Sequence, residues 1–452
     1  MFKWIRKSIR YLIPTGNSRG DNVKKAIITN LFVNVVSLLK VVLSARLLIG
    51  YLGNDGYGVF MTIISTTNWI SLSNFGFGLG LQNLLTDAVA KKDTIRQKQL
   101  LSTTQLSLAV ICSTVLAIWV ALFVLTNISW TQAINASNTR FADDVSQSIF
   151  WAGVFIIANM YTSYIQAIYA ANQQLHQYNF WTIGSQLVTI VSLFLVITFR
   201  SSLIRAVLFY CGSLAIVRLI NAIFLIFKHP DRYMPHVRDF SLNEFRTILK
   251  YGGSFTLISI CGALQYSTDK LIISRTVEPA EVTPYSIVVN LYNMCLALSG
   301  VISMPMWAAF ANAKAHDDWA WINKRARQLR LFMTGAFMLL VIFMIFAGKP
   351  LIRLWVGPSV NTSLTLIALL GIYYLIKTWT DVHSIICNAL DKAPATAIFS
   401  IPAGVFIVVV MYFFASLWGV NGLALGMGLA FLLTGGWFVP YIAYREIRRH
   451  NA

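Results

Sequence analysis

Charge is scarce in this sequence. Only 12% of its 452 residues are Asp, Glu, Lys or Arg, against about 25% in an average soluble chain. Acids are the rarer sign, 17 against 36 Lys and Arg. Five cysteines stand singly in apolar stretches (Cys112, Cys211, Cys261, Cys295, Cys387), with no CxxC spacing. This excludes a disulfide scaffold and a Cys/His metal centre, and they read as small core hydrophobes. No metal site or cofactor is expected. No phosphate loop is present, since Gly348-Lys349-Pro350 lacks the preceding glycines and the following Ser or Thr. No catalytic carboxylate motif or large extramembrane loop stands out, so an enzyme of sugar transfer, polymerisation or ligation is not expected. No filter-like repeat speaks for a channel, and no cleavable signal peptide is apparent, because seven cations precede the first apolar run.

What fills the chain instead is hydrocarbon: 57% of residues are hydrophobic. Apolar runs of about 18 to 25 residues, each long enough for a bilayer core, recur from end to end. They place spans at 26–49, 57–78, 100–126, 145–170, 179–199, 203–227, 248–274, 284–312, 329–347, 361–389, 395–417 and 421–442. The expected fold class is an all-α polytopic membrane protein of about 12 transmembrane helices. Phe2, Trp4, Ile5, Ile9, Leu12 and Ile13 alternate with cations in residues 1–25, the pattern of an amphipathic interfacial arm.

The net charge of +19 is a topology signal rather than a nucleic-acid signal. With a cytoplasmic N-terminus, the cytoplasmic side collects the N-terminal cations and the Lys91–Lys98 and Lys228–Lys250 groups. It also collects the Lys314–Arg330 group, Lys392 and the C-terminal arginines. The bias is about four to one, and both termini are expected in the cytoplasm. Two six-helix bundles, 26–227 and 248–442, are expected to form a central cavity, joined by the basic linker 228–247 and followed by a tail at 443–452. Faint symmetry supports them: Gly56-Tyr57-Gly58-Val59 opens the second span as Pro284-Tyr285-Ser286-Ile287 opens the eighth. Likewise Ala170 to Gln174 closes the fourth as Asn388 to Lys392 closes the tenth. Pro284, Pro305, Pro394 and Pro402 are candidate kinks or helix starts.

Candidate functional residues are the polar groups that a spanning helix otherwise avoids. A charge at mid-membrane costs roughly 2.5–3.5 kcal/mol, yet Lys40, Arg46, Arg218, Lys270 and Lys377 fall within the spans. In the tenth span Lys377, Asp381, Ser384 and Asn388 share one helix face, and in the fourth Asn159, Ser163 and Gln166 repeat the layout. The two stripes are expected to face each other across a cleft; a Lys377–Asp381 pair that only joins helices is the plainer reading. In the first span Asn30, Asn34, Ser37, Lys40 and Ser44 fall within an arc of about 120°. In the seventh Ser254, Gln265, Thr268 and Asp269 share a face. Asp269 is either an ion-coupling acid or the partner of Lys40 or Lys270, with pairing the plainer reading. Arg218, near Asn221, meets either a substrate phosphate or a lipid headgroup. His383 points about 200° away from Asp381 and reads as a packed side chain. Several cations with few carboxylates suit phosphate; Asn34, Asn159, Gln166, Gln265, Asn290, Asn293 and Asn388 suit sugar hydroxyls.

Short motifs carry a family likeness. Ala45-Arg46-Leu47-Leu48, Tyr51-Leu52-Gly53 and Gly56-Tyr57-Gly58 resemble the end of the first helix of bacterial polysaccharide flippases. Asn74 to Gly80 with Asp87 to Asp93, and Asp269 to Ile273 with Tyr285-Ser286, resemble their second, seventh and eighth helices. The chain resembles the Wzx-type O-antigen and exopolysaccharide branch of the multidrug/oligosaccharidyl-lipid/polysaccharide (MOP) superfamily. It departs at Ile49-Gly50 and lacks the two extra helices of lipid II flippases. The resemblance implies a MATE-like fold and residence in the bacterial inner membrane. It also implies an undecaprenyl-pyrophosphate-linked glycan as cargo, moved by alternating access, with membrane lipids and a polysaccharide polymerase as partners. It raises Arg46 to a functional candidate. Proton or sodium coupling would fall to Asp269 and Asp381. The competing reading is a cation-coupled multidrug exporter, whose cavity would be richer in carboxylates.

Overall fold

Backbone amides inside a bilayer have no water to bond, so long apolar runs close their hydrogen bonds internally as helices. The computed structural model describes residues 18–390 and 392–451; residues 1–17, where most of the expected basic arm falls, lie outside the described residues. So do the side chains at 18–24, 254–255, 257–258, 261, 265–266, 298, 301, 304–305, 308, 315, 393–394, 397 and 451, among them Ser254, Cys261 and Gln265.

The regular elements among the described residues are all helices, with no strand. The first half holds α1 (Ser18–Thr67), α2 (Phe77–Ala90), α3 (Thr94–Leu125), the short α4 (Trp130–Ala133), α5 (Ala142–Tyr161) and α6 (Tyr164–Ala171). It continues with α7 (Leu175–Val196), α8 (Leu203–Lys228) and the single turn α9 (Pro230–Tyr233). The second half holds α10 (Leu242–Tyr266), α11 (Asp269–Thr276), α12 (Pro279–Ala315), α13 (Trp319–Val356), α14 (Leu364–Ala389), α15 (Ala393–Leu433) and α16 (Gly435–Asn451).

Seven helical runs among the described residues are long and apolar enough to cross a bilayer. The run Lys25–Ala90 is too long for one crossing, and Gly53 divides it with φ 73° and ψ −179°. Glycine alone enters that region freely. The helix end is closed by Arg140, whose Nη2 donates to the Leu52 carbonyl at 2.6 Å. Gly419, φ 59°, divides α15 in the same way. Each of the twelve expected spans lies largely on helical segments, with local breaks at Phe75–Gly76, Thr162–Ser163, Ser267–Thr268 and Thr434 and non-helical ends at 126, 197–199 and 361–363.

Several boundaries differ from the sequence reading. The segment near 79–99, expected as a linker, is helical to Ala90, because Phe75 (φ 47°) and Gly76 (φ 68°) turn the chain and helix resumes after them. Pro284 and Pro305 sit within a continuous α12, whose opening proline is Pro279. The expected tail is helical through Asn451.

Packing divides the chain into two compact units assembled from separated stretches. The first comprises Met1–Leu47, Thr67–Ile128 and Ser146–Thr256; the second comprises Leu48–Thr66, Ser129–Val145 and Leu257–Ala452. In the first unit, Phe77, Leu81, Leu100, Leu108, Tyr164 and Ile168 build a core around α2, α3 and α6. The linker 228–247 is held against α3 rather than hanging free. Gln105 donates to the Tyr233 carbonyl (3.1 Å), and Ser102 and Thr103 accept from the amides of His236 and Ser241. Arg232 bonds Gln97 and Asn172. Burial there raises the Tyr233 phenol above its ordinary pKa.

In the second unit, Phe310, Ile322, Ala326, Ile386, Cys387 and Ala443 form a core among α12, α13, α14 and α16. The stretches 48–66 and 129–145 are pinned to this unit's own helices. Asn54 Nδ2 donates to the Ser359 carbonyl (2.5 Å), and Thr283 Oγ1 donates to the Asn54 carbonyl (2.6 Å). Asn135 donates to the Ser274 carbonyl (3.0 Å), and Ser274 donates to the Ile134 carbonyl.

Candidate functional site

In the second unit, the stripe on α14 forms as the spacing requires. Lys377 Nζ lies 2.7 Å from Asp381 Oδ2, with the lysine side chain 13% exposed and the carboxylate 43% exposed. One turn on, Ser384 donates to the Thr380 carbonyl, and Asn388 is half-buried. The pair therefore straddles a boundary between packed protein and open surface.

Asp269 and Lys270 are the contrasting case. They begin α11, just past the break after α10, and are 3% and 8% exposed. Lys270 Nζ lies 3.2 Å from Asp269 Oδ1; the Lys270 amide donates to the same oxygen at 2.8 Å, and Tyr285 donates to Oδ2 at 2.8 Å. The carboxylate thus has three donors. Pairing, the plainer reading of Asp269, is the geometry observed, with Lys270 as the partner. A ligand reaches this lysine only if the pair opens.

Nearby on α12, Asn293 is exposed and accepts from Tyr374 at 2.8 Å; Tyr374 stacks on Tyr292 at 5.1 Å. Asn290 is half-buried. Gln265 lies outside the described side chains.

In the first unit, the half-buried Lys40 places Nζ 5.4 Å from the Tyr210 ring centroid, a cation–π contact with α8. Arg46 and Asn34 are exposed and Arg218 is half-buried. Asn221, near Arg218 in sequence, instead accepts from Tyr169 at 3.0 Å. On α5, Asn159 donates to the Phe155 carbonyl, but its buried Oδ1 has no partner. Gln166 is exposed. Ser37 accepts from Gln186 of α7 at 2.8 Å, so part of the α1 polar arc is used in helix packing.

The sequence reading gave Tyr285 no role of its own, although it stands in one of the quoted motifs; its hydroxyl completes the Asp269 network. The sequence reading also missed the α3 residues Gln97, Ser102, Thr103 and Gln105, whose polarity in an apolar span was the available signal.

The comparisons with known proteins fit this architecture. Residues 20–310 match the model of the family described as polysaccharide biosynthesis protein. The chain belongs to that family. A relative named putative O-antigen transporter, from Salmonella typhimurium, is 21% identical over 402 residues, covering 88% of this chain and 90% of the relative. An inward-facing MATE-family multidrug resistance transporter of the MOP superfamily superposes with a TM-score of 0.76 at 13% identity. It covers 94% of this chain and 98% of that one. The lipid II flippase MurJ, in an inward closed conformation, gives 0.67 at 14% identity, covering 94% and 89%. At such identities the likeness to solved structures establishes the fold. The resemblance to the Wzx-type branch, the all-α membrane fold and the multi-pass membrane placement are borne out.

Proposed function

We propose that this polysaccharide biosynthesis protein flips an undecaprenyl-pyrophosphate-linked O-antigen or exopolysaccharide repeat unit. The movement would run from the cytoplasmic to the periplasmic leaflet of the bacterial inner membrane by alternating access. The observation that carries the reading is the α14 stripe. A lysine whose carboxylate partner Asp381 is 43% exposed can exchange that partner for a pyrophosphate oxygen. Charge-assisted bonds to phosphate then offset the cost of holding a cation at membrane depth. The half-buried Lys40 and Arg218 add positive charge in the first unit, and Asn34, Asn159, Gln166, Asn290, Asn293 and Asn388 offer hydrogen bonds suited to sugar hydroxyls. The named function of the Salmonella relative supports the same cargo class.

The test is deletion of the gene with analysis of lipid-linked glycans. Completed repeat units are expected to accumulate in the inner leaflet while surface polysaccharide falls. Unchanged surface polysaccharide with increased dye sensitivity would instead favour multidrug export.

A further inference from the structure

Tyr374 of α14 reaches Asn293 of α12, both within the second unit. The phenol is fixed by its surroundings. Tyr374 is 2% exposed, its ring stacks on Tyr292 at 5.1 Å with 19° between the planes, and Tyr373 meets it edge-on at 5.1 Å. Tyr292 is in turn tied by its hydroxyl, which donates to the Ile367 carbonyl at 2.9 Å. A Cβ on Gly371 would stand 2.7 Å from the Tyr292 oxygen, so a glycine at that position leaves room for the bond.

The direction of the Tyr374–Asn293 bond decides what Asn293 offers to a partner. Tyr374 Oη lies 2.8 Å from Asn293 Oδ1 and 3.4 Å from the Val289 carbonyl. That carbonyl stands four residues before Asn293 in α12 and is the acceptor of the helix's own ladder. The phenolic hydrogen therefore goes to Oδ1, the shorter contact. An asparagine amide has one accepting oxygen and two N–H donors. With the oxygen taken by Tyr374, the donors are the end left over, and none of the described residues accepts from them.

Asn293 is exposed, yet it stands about 20 Å from the nearer end of α12 at 1.5 Å per residue. Its side chain is far shorter than those that snorkel to the headgroups, and hydrocarbon offers a donor no acceptor. An open amide at that depth suits a wet passage rather than a lipid contact.

Resting on the flippase reading above, we propose that Asn293 donates through Nδ2 to an oxygen of the passing lipid-linked glycan, with Tyr374 as its positioning residue. Without the phenol the amide turns over freely and offers oxygen or nitrogen in turn. With it the donor end is set before the cargo arrives, which lowers the ordering cost of the contact. Two kinds of cargo oxygen accept such a bond: a sugar hydroxyl, and a phosphate or carboxylate oxygen that carries no hydrogen.

The experiment returns the full chain with each substitution to a strain deleted for the gene. It reads surface polysaccharide at matched protein level, with the melting midpoint of the purified chain alongside. Asn293→Leu and Tyr374→Phe remove the same tyrosine–asparagine bond, but the first also removes the donor. Asn293→Leu is expected to lower export about tenfold and Tyr374→Phe about two- to threefold, within the worth of one hydrogen bond. Tyr374→Phe added to Asn293→Leu is expected to lower export no further, because Tyr374 acts through Asn293. Asn293→Asp keeps the bond from Tyr374 and puts an oxygen in place of the donors. Export lost in Asn293→Asp identifies a phosphate or carboxylate oxygen; export retained there identifies a hydroxyl, which can turn to donate. Equal export losses in Asn293→Leu and Tyr374→Phe that track a fall in melting midpoint would mark the bond as purely structural and overturn the assignment. Wild-type export in Asn293→Leu would overturn it as well. If that happens while the deletion strain still accumulates repeat units, the role of Asn293 fails and the flippase reading stands; a deletion strain that accumulates none ends the flippase reading itself.

Discussion

At the scale of residues, two lysine–aspartate pairs differ in their surroundings. Lys377 and Asp381 meet at 2.7 Å beside open surface. Lys377→Ala is therefore expected to lower the melting temperature little, since exposed pairs contribute about 0–1 kcal/mol. It is nevertheless expected to impair polysaccharide export, measured as surface glycan at matched protein level; unaltered export would remove Lys377 from the site. Asp269 and Lys270 are buried and served by Tyr285. Removing one partner, as in Asp269→Ala, is expected to cost about 3–5 kcal/mol by stranding the other charge. Asp269→Leu combined with Lys270→Met is expected to cost less than Asp269→Ala. Melting of the purified single and double variants checks this, and additive losses would contradict it. The residue types and spacing of both pairs were readable from the sequence. Which pair is dry was not, because exposure depends on neighbours far along the chain.

At the scale of elements, the helices end where the backbone forces them to. Gly53 ends the first helix, and Arg140, 88 positions away, caps it. Arg140→Ala is expected to cost about 1.5–3 kcal/mol, the range for a hydrogen bond to a charged donor, with a lower melting temperature as the readout. A Cβ at Gly58 would overlap the carbonyl oxygen of Pro279, whereas one at Gly50 meets nothing within 4 Å. Gly58→Ala is expected to reduce the yield of folded protein on size-exclusion chromatography, and Gly50→Ala to leave it unchanged. Hydropathy located the helical runs but not the extension of the second span to Ala90. The turn at Phe75 and Gly76 has the composition of a helix end, and only the resumed hydrogen bonding after it shows otherwise.

At the scale of the whole molecule, the distribution of Lys and Arg argues for cytoplasmic termini. A fluorescent protein fused at the C-terminus is expected to fluoresce, and alkaline phosphatase at the same point to be inactive; the reverse result would invert the topology. Sequence alone established membrane residence, helical structure and the polar face of α14, because each follows from local quantities: hydropathy summed over a span, and a period of 3.6 residues. It could not establish which polar groups are dry. The sequence grouped Arg330 with cytoplasmic cations, and the folded chain buries it against Tyr444. It left the partner of Asp269 open between Lys40 and Lys270, and the fold gives it Lys270. It made 228–247 a linker, and the fold fastens that segment to α3. Helical periodicity fixes the direction of a side chain from its own axis. Burial and partnership are decided by what other helices bring to that direction, and that is a property of tertiary packing.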